Sequence, residues 1–181
     1  MAISGDGWSR VLTGPESALL VGTDAVLADL DDGILVTWNG GRFDLPFLAD
    51  RARLRGIGLG LMLESIPMVA RAREPLPGHQ GGYRARWHGH GHLDAYQVYR
   101  ADVGASLGLP CGLKPLARFL GLDPVEVDRT RIHELDAREL DEYVASDAIL
   151  ARELALRRWS TAGRAVDRFT ELPVGNQEIS S

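Results

Sequence analysis

Short apolar runs alternate along this chain with segments whose apolar residues recur every three or four positions. Ala2 to Ser4 and Trp8 to Thr13 frame the turn Gly5-Asp6-Gly7 and predict a strand hairpin. Pro15 and Glu16 suit a helix first turn. Leu19, Leu20, Val26, Leu27 and Leu30 extend it at helical spacing as far as Asp31-Asp32-Gly33. Ile34-Leu35-Val36-Thr37-Trp38 is a continuous, β-branched apolar run, and predicts a buried, parallel, central strand. Asn39-Gly40-Gly41 then makes a turn, and a helix follows from about Asp44 to Arg55, closed by Gly56-Ile57-Gly58. Residues 67–91 are rich in Pro, Gly, Arg and His and predict a long surface loop, either functional, as a substrate lid is, or simply mobile.

His92 to Tyr99 reads as a strand running into a helix. Leu113 to Leu120 is a short helix stopped by Gly121 and Asp123-Pro124. Asp136 to Trp159 is the strongest helix, and Asp136-Ala137-Arg138-Glu139 opens it as a capping box. Strand–helix alternation gives an α/β class. The boundaries are a single domain over 1–173 and a flexible tail over 174–181.

Composition narrows the function. The chain has 181 residues, 45% hydrophobic and 25% charged, as a globular domain with its own core requires. It contains no apolar stretch long enough to cross a membrane. Its start lacks the basic-then-apolar order of a secretory signal. The single cysteine, Cys111, excludes an internal disulfide and a multi-cysteine metal site, and favours a reducing, cytoplasmic setting. Cys111 sits between Pro110 and Gly112 and reads as a structural residue in a turn. A net charge of −5 argues against holding nucleic acid by a broad basic surface. It leaves open an enzyme that meets phosphates through bound metal ions.

Four groups of residues invite chemistry. Leu140, Tyr143, Val144, Ala151 and Leu154 form an apolar stripe on the last helix, and Asp147 falls inside it. A lone carboxylate facing a core is costly unless it is paired or metal-bound. Asp147 is therefore either a ligand or an edge residue paired with an arginine. Tyr143 lies one turn earlier on the same face. Asp44 stands just past a buried strand, where open α/β sheets place their ligand crevice. It also suits a helix N-cap, with Pro46 in the first turn. His88, His90 and His92 alternate, so in an extended strand they share a face, as a His₃ metal site or as partly solvated loop residues. Arg71, Arg73, Arg84 and Arg86, with Tyr83 and Trp87, are either contacts for a single strand or a solvated loop.

Trp38-Asn39-Gly40-Gly41-Arg42-Phe43-Asp44-Leu45-Pro46-Phe47-Leu48 resembles the second motif of the DEDD exonucleases. The likeness is greatest to the proofreading domains of family B DNA polymerases. Tyr143-Val144-Ala145-Ser146-Asp147 resembles the third motif, Y-x-x-x-D, of the tyrosine subgroup. His92-Leu93-Asp94 is similar to the strand between them, and Leu113 to Gly121 to the small helix before the third motif. The resemblance covers roughly residues 15–158 and implies a ribonuclease H-like mixed sheet flanked by helices. It implies two Mg²⁺ or Mn²⁺ ions clamping the scissile phosphate at single-stranded DNA or RNA 3′ ends. By analogy Asp44 and Asp147 bind metal, Tyr143 orients the attacking water, and Asn39 and Phe43 line the substrate cleft.

One departure is large. The family's first motif, D-x-E, occurs nowhere in this sequence. It normally lies on a first, central strand, and this chain begins at the equivalent of the second. A late start at an internal methionine, a loss of catalysis with binding retained, or replacement by another segment or chain each accounts for this. The expectation is a weakly active or inactive exonuclease. The alternative is a non-catalytic nucleic-acid- or protein-binding module on the same scaffold. A gap or an unusual partner is expected beside the Ile34–Trp38 strand, and a missing central strand allows strand exchange between chains.

Overall fold

The computed structural model describes residues 1–66 and 82–162. Residues 67–81, with Arg71 and Arg73, and residues 163–181, with the expected tail, lie outside the described residues.

A mixed four-stranded sheet organises the chain. Its strands are β3 (Ile34–Thr37), β4 (Leu61–Ile66), β5 (Gly82–Trp87) and β6 (His90–Asp94), in the order β3-β6-β5-β4. β3 runs parallel to β6, with Ile34 opposite Gly91 and Thr37 opposite Asp94. The β4–β5 and β5–β6 pairs are antiparallel. The hairpin β1 (Ala2–Gly5) and β2 (Trp8–Val11) forms a separate two-stranded sheet.

Helices cover both faces. On one side lie α1 (Glu16–Asp29) and α2 (Asp44–Leu54). Leu27 and Leu45 from these helices pack with Ala85 and Trp87 of β5, and Ile3 of β1 and Leu35 of β3 join the same cluster. Glu16 ties the two helices through Arg51, at 2.5 and 2.8 Å, and Arg55 at 2.8 Å. On the other side lie α3 (Ala95–Tyr99), a π-helical turn (Arg100–Gly104), α4 (Ala105–Leu107), α5 (Leu113–Phe119) and α6 (Ala137–Arg157). Ile34 and Val36 point to this side and meet Ala155 of α6, while Leu150 and Leu154 pack on Tyr99, Leu116 and Ala117. Cys111 is buried in that second cluster as a free thiol, the structural role expected of it. The capping box is present: Asp136 accepts from the Glu139 N–H at 2.8 Å, and Glu139 accepts from the Asp136 N–H at 2.9 Å.

Two expectations are corrected. β3 is an edge strand, half-buried along its length, not a buried central one. Its apolar run is real, but one of its two edges has no strand beside it among the described residues. Residues 82–87 and 90–91, expected in a loop, are strand, joined by a turn at 88–89. Ala85 and Trp87 are buried while Arg86 is exposed, so the segment alternates with the two-residue period of a half-buried strand. The Gly, Arg and His content of the segment hid that alternation. β4 hid in the same way: Leu61 and Leu63 join the core, while Met62 and Glu64 face water.

Candidate functional site

The site begins where β3 ends. Thr37 is the last strand residue, and the chain must turn at once to start α2. Asn39 makes the turn with φ of 66°, a left-handed conformation that Asn tolerates better than other side-chain-bearing residues. A Cβ at Gly40 would lie 2.4 Å from the Thr37 hydroxyl, so only glycine fits there. Asp94, at the end of β6, holds the turn from the neighbouring strand. Its carboxylate accepts the Asn39 N–H at 2.8 Å and the Gly41 N–H at 3.3 Å. Burial pushes the Asp94 carboxyl upward, and these two backbone donors pull it back.

This turn delivers Asp44. The N-cap is Phe43, whose side chain makes no cap hydrogen bond, and Asp44 is the first helical residue; the N-cap reading of Asp44 is thereby corrected. Asp44 is solvent-exposed, yet the protein around it removes part of its hydration and raises its pKa, partly offset by its own backbone N–H. Water still reaches the group, so the shift carries little stability. Phe43 and Phe47, about half exposed, stand beside it with parallel rings 6.4 Å apart.

Asp147 comes from α6. It is 30% exposed, and its partner is Lys114 of α5, not an arginine. The Lys114 ammonium lies 3.3 Å from Asp147 Oδ1, close enough to pair electrostatically but not aligned as a hydrogen bond, so the buried Oδ1 has no donor. The same ammonium lies 3.9 Å from the centroid of the Tyr143 ring and donates to the Val125 carbonyl. Lys114 thus ties Tyr143 and Asp147 together, and sequence reasoning missed it. The signal was available: Lys114 is the only lysine, and it shares the buried face of α5 with Leu116 and Ala117.

Asn39, Phe43, Asp44 and Asp147 line one groove of about 1560 Å³. Tyr143 is buried and reaches the groove's Asp147 through Lys114. The groove continues along the open edge of β3 to β1, which is where a gap was expected.

The donor chemistry suits a hard divalent ion: two carboxylates, one with an orphaned oxygen. The number does not. Among the described residues no three His, Cys, Asp or Glu side chains converge into a metal site. A cationic ammonium already stands at the oxygen a metal would take.

The histidine triad is not formed. His88 lies in the β5–β6 turn with φ of 49° and binds Asp24 at 3.0 Å. His90 Nε2 donates to the Leu27 carbonyl at 2.8 Å, and His92 Nε2 bonds the Thr37 hydroxyl at 2.8 Å. Strand pairing fixes each ring on a different partner. Trp87 is 2% exposed, with its indole N–H on Asp24 at 2.7 Å, so it cannot stack on a nucleic acid base.

The family described as "DNA polymerase family B, exonuclease domain" matches residues 11–107. That span holds the Asn39–Asp44 turn and ends before α5 and α6. Two curated relatives are the DNA polymerase epsilon catalytic subunits of Eremothecium gossypii and of Candida glabrata, 27% and 28% identical over 135 residues. The match takes in 72% of this chain and 6% of each relative. Among the described residues no helix is long and apolar enough to cross a membrane.

Proposed function

Because this chain belongs to the family of DNA polymerase family B exonuclease domains, we propose that it is a 3′-end-binding domain of the tyrosine-containing exonuclease subgroup whose described residues support little hydrolysis by themselves. The match and the mixed α/β sheet are those of a ribonuclease H-like exonuclease, so phosphodiester hydrolysis is the activity class. The observation that carries the rest is the Lys114–Asp147 pair. It sets an ammonium against Asp147, and among the described residues no three His, Cys, Asp or Glu side chains converge to hold a metal.

Each residue has a role in this reading. The exposed Phe43 and Phe47 rings receive the terminal bases of a single strand of DNA or RNA, since base–aromatic stacking needs no particular sequence. Asn39, fixed by Asp94, sets the position of α2 and hence of Asp44. Tyr143, to which the resemblance gives the attacking water, is buried and reaches the groove only through Lys114, which also favours slow hydrolysis. Mg²⁺ or Mn²⁺ is the cofactor class, and Asp44 and Asp147 are the ligands this chain offers. Two carboxylates fall short of the oxygen shell two such ions require. The non-catalytic reading, a binding module on the same scaffold, is favoured by that same shortage.

A 3′-labelled single-stranded oligonucleotide separates these readings. Binding at micromolar concentration that Phe43→Ala weakens about tenfold is expected, as loss of one or two stacking contacts predicts. Labelled mononucleotide should be released in Mg²⁺ or Mn²⁺ only slowly. Absence of 3′-end binding would refute the proposal.

A further inference from the structure

A phosphate arriving at this groove meets carboxylates. Of the charged walls, Asp6 pairs with Arg152 at 3.0 Å and Asp147 with Lys114 at 3.3 Å. Asp31, Asp32 and Asp44 also line the groove, and among the described residues no cation is paired with them. An anionic strand is repelled by all three unless a cation stands beside it. The exposed Phe43 and Phe47 rings supply stacking but no charge.

Few cations are free to serve. Arg51 and Arg55 are held by Glu16, Arg158 by Asp102 and Arg118 by Glu126. Arg86 donates to the His88 carbonyl at 3.1 Å, and Arg84 is engaged as well. Among the described residues, the side chains of Arg10, Arg42 and Arg100 make no ion pair or hydrogen bond. Arg100 lines a separate cavity beside Cys111, and Arg10 lies on β2 of the hairpin. Of the three, only Arg42 belongs to the turn that carries the site. It stands between Asn39 and Phe43, both walls of the groove, and two residues before Asp44. Its N–H donates to the Asn39 carbonyl at 3.3 Å and closes the turn. Asp94 of β6 grips that turn at the Asn39 and Gly41 N–H groups, and the Gly41 carbonyl accepts the Tyr83 N–H of β5 at 3.1 Å. The backbone on either side of Arg42 is thus fixed from two strands, while its side chain is exposed.

We infer that Arg42 is the phosphate contact of the 3′-end site: its guanidinium takes one backbone phosphate of the bound single strand while Phe43 stacks on a neighbouring base. This role rests on the 3′-end reading above and supplies the one charge that reading lacks. A guanidinium meets phosphate with two parallel N–H donors and stays charged at any working pH. It also sets where the strand lies, at the start of α2 and away from Asp31 and Asp32 at the far end of β3.

The test is the binding of a 5′-fluorescent single-stranded DNA of about ten nucleotides, with a free 3′ hydroxyl, to the full chain in EDTA over a range of salt. Each phosphate contact on a single strand contributes about −0.7 to the slope of log K against log salt, so Arg42→Gln should flatten the slope by about 0.7 and weaken binding about eightfold at about 50 mM salt and about threefold at about 200 mM. Arg42→Lys should keep the slope. Arg10→Gln and Arg100→Gln should change neither slope nor affinity. Methylphosphonate in place of one phosphodiester near the 3′ end should weaken binding to the unaltered chain and leave binding to the Arg42→Gln variant unchanged. Melting temperatures should agree throughout, because all three arginines lack side-chain partners among the described residues. If Arg42→Gln keeps its affinity and slope while Phe43→Ala still weakens binding, this inference falls and the 3′-end reading stands. The same follows from an equal loss in Arg10→Gln or Arg100→Gln, which means spread charge without a single contact. Binding that needs Mg²⁺ also overturns it, since a metal ion then meets the phosphate. Absence of 3′-end binding with and without Mg²⁺ overturns both.

Discussion

At the scale of single residues, the site is governed by charges that have few partners. Lys114 is nearly buried, and its ammonium serves Asp147, the Tyr143 ring and the Val125 carbonyl together. Lys114→Met leaves the Asp147 carboxylate and the carbonyl unmatched. The expected cost is about 1–3 kcal/mol by urea denaturation, below that of a fully buried pair because Asp147 keeps some water. Adding Asp147→Asn should recover part of the loss, whereas strictly additive losses would show that the two side chains do not interact.

His92 gives a pH signature at the same scale. Burial lowers its pKa from 6.5 to about 4. The unfolded chain therefore takes up a proton near pH 6.5, which the folded chain refuses until about pH 4. Stability is complete above the unfolded pKa and falls as pH drops through that window, by about 3 kcal/mol for this residue. Asp94, whose carboxyl is raised by burial, acts in the opposite sense, so the diagnostic is a difference. His92→Gln should flatten the stability curve between pH 6.5 and 4. An unchanged slope would mean that the ring is hydrated.

At the scale of elements, legibility followed periodicity. α6 was plain from its apolar stripe and capping box, and Asp136→Ala should cost about 1 kcal/mol, lowering the melting temperature by about 2–4 °C in a calorimetric scan. α1, α2 and α5 were equally legible, each bounded by Gly or Pro signals. β4 and β5 were missed because their alternation is carried by a few apolar residues among Arg, Gly and Glu. β3 was identified, but its place at the sheet edge was not, since burial of an apolar run depends on what lies beside it and not on the run itself. The site divides in the same manner. Asn39, Phe43, Asp44 and Asp147 were found from a local pattern and do meet on one groove. Lys114 and Asp94 were not singled out, because their importance lies in contacts 33 and 55 residues away in sequence, from Asp147 and Asn39 respectively.

At the scale of the whole molecule, two helical layers hold a sheet whose edge among the described residues is β3, and a groove runs from that edge to the carboxylates. Among the described residues, the open edge of β3 and the carboxylates of Asp44 and Asp147 line one cavity. The measurement that bears most directly on this account is single-turnover hydrolysis of a 3′-labelled single strand in Mg²⁺ and in Mn²⁺, for the chain and for its Asp44→Ala variant. The account predicts 3′-end binding with slow or undetectable release of mononucleotide, and little difference between the two proteins in rate. Rapid, processive release that Asp44→Ala abolishes would contradict it.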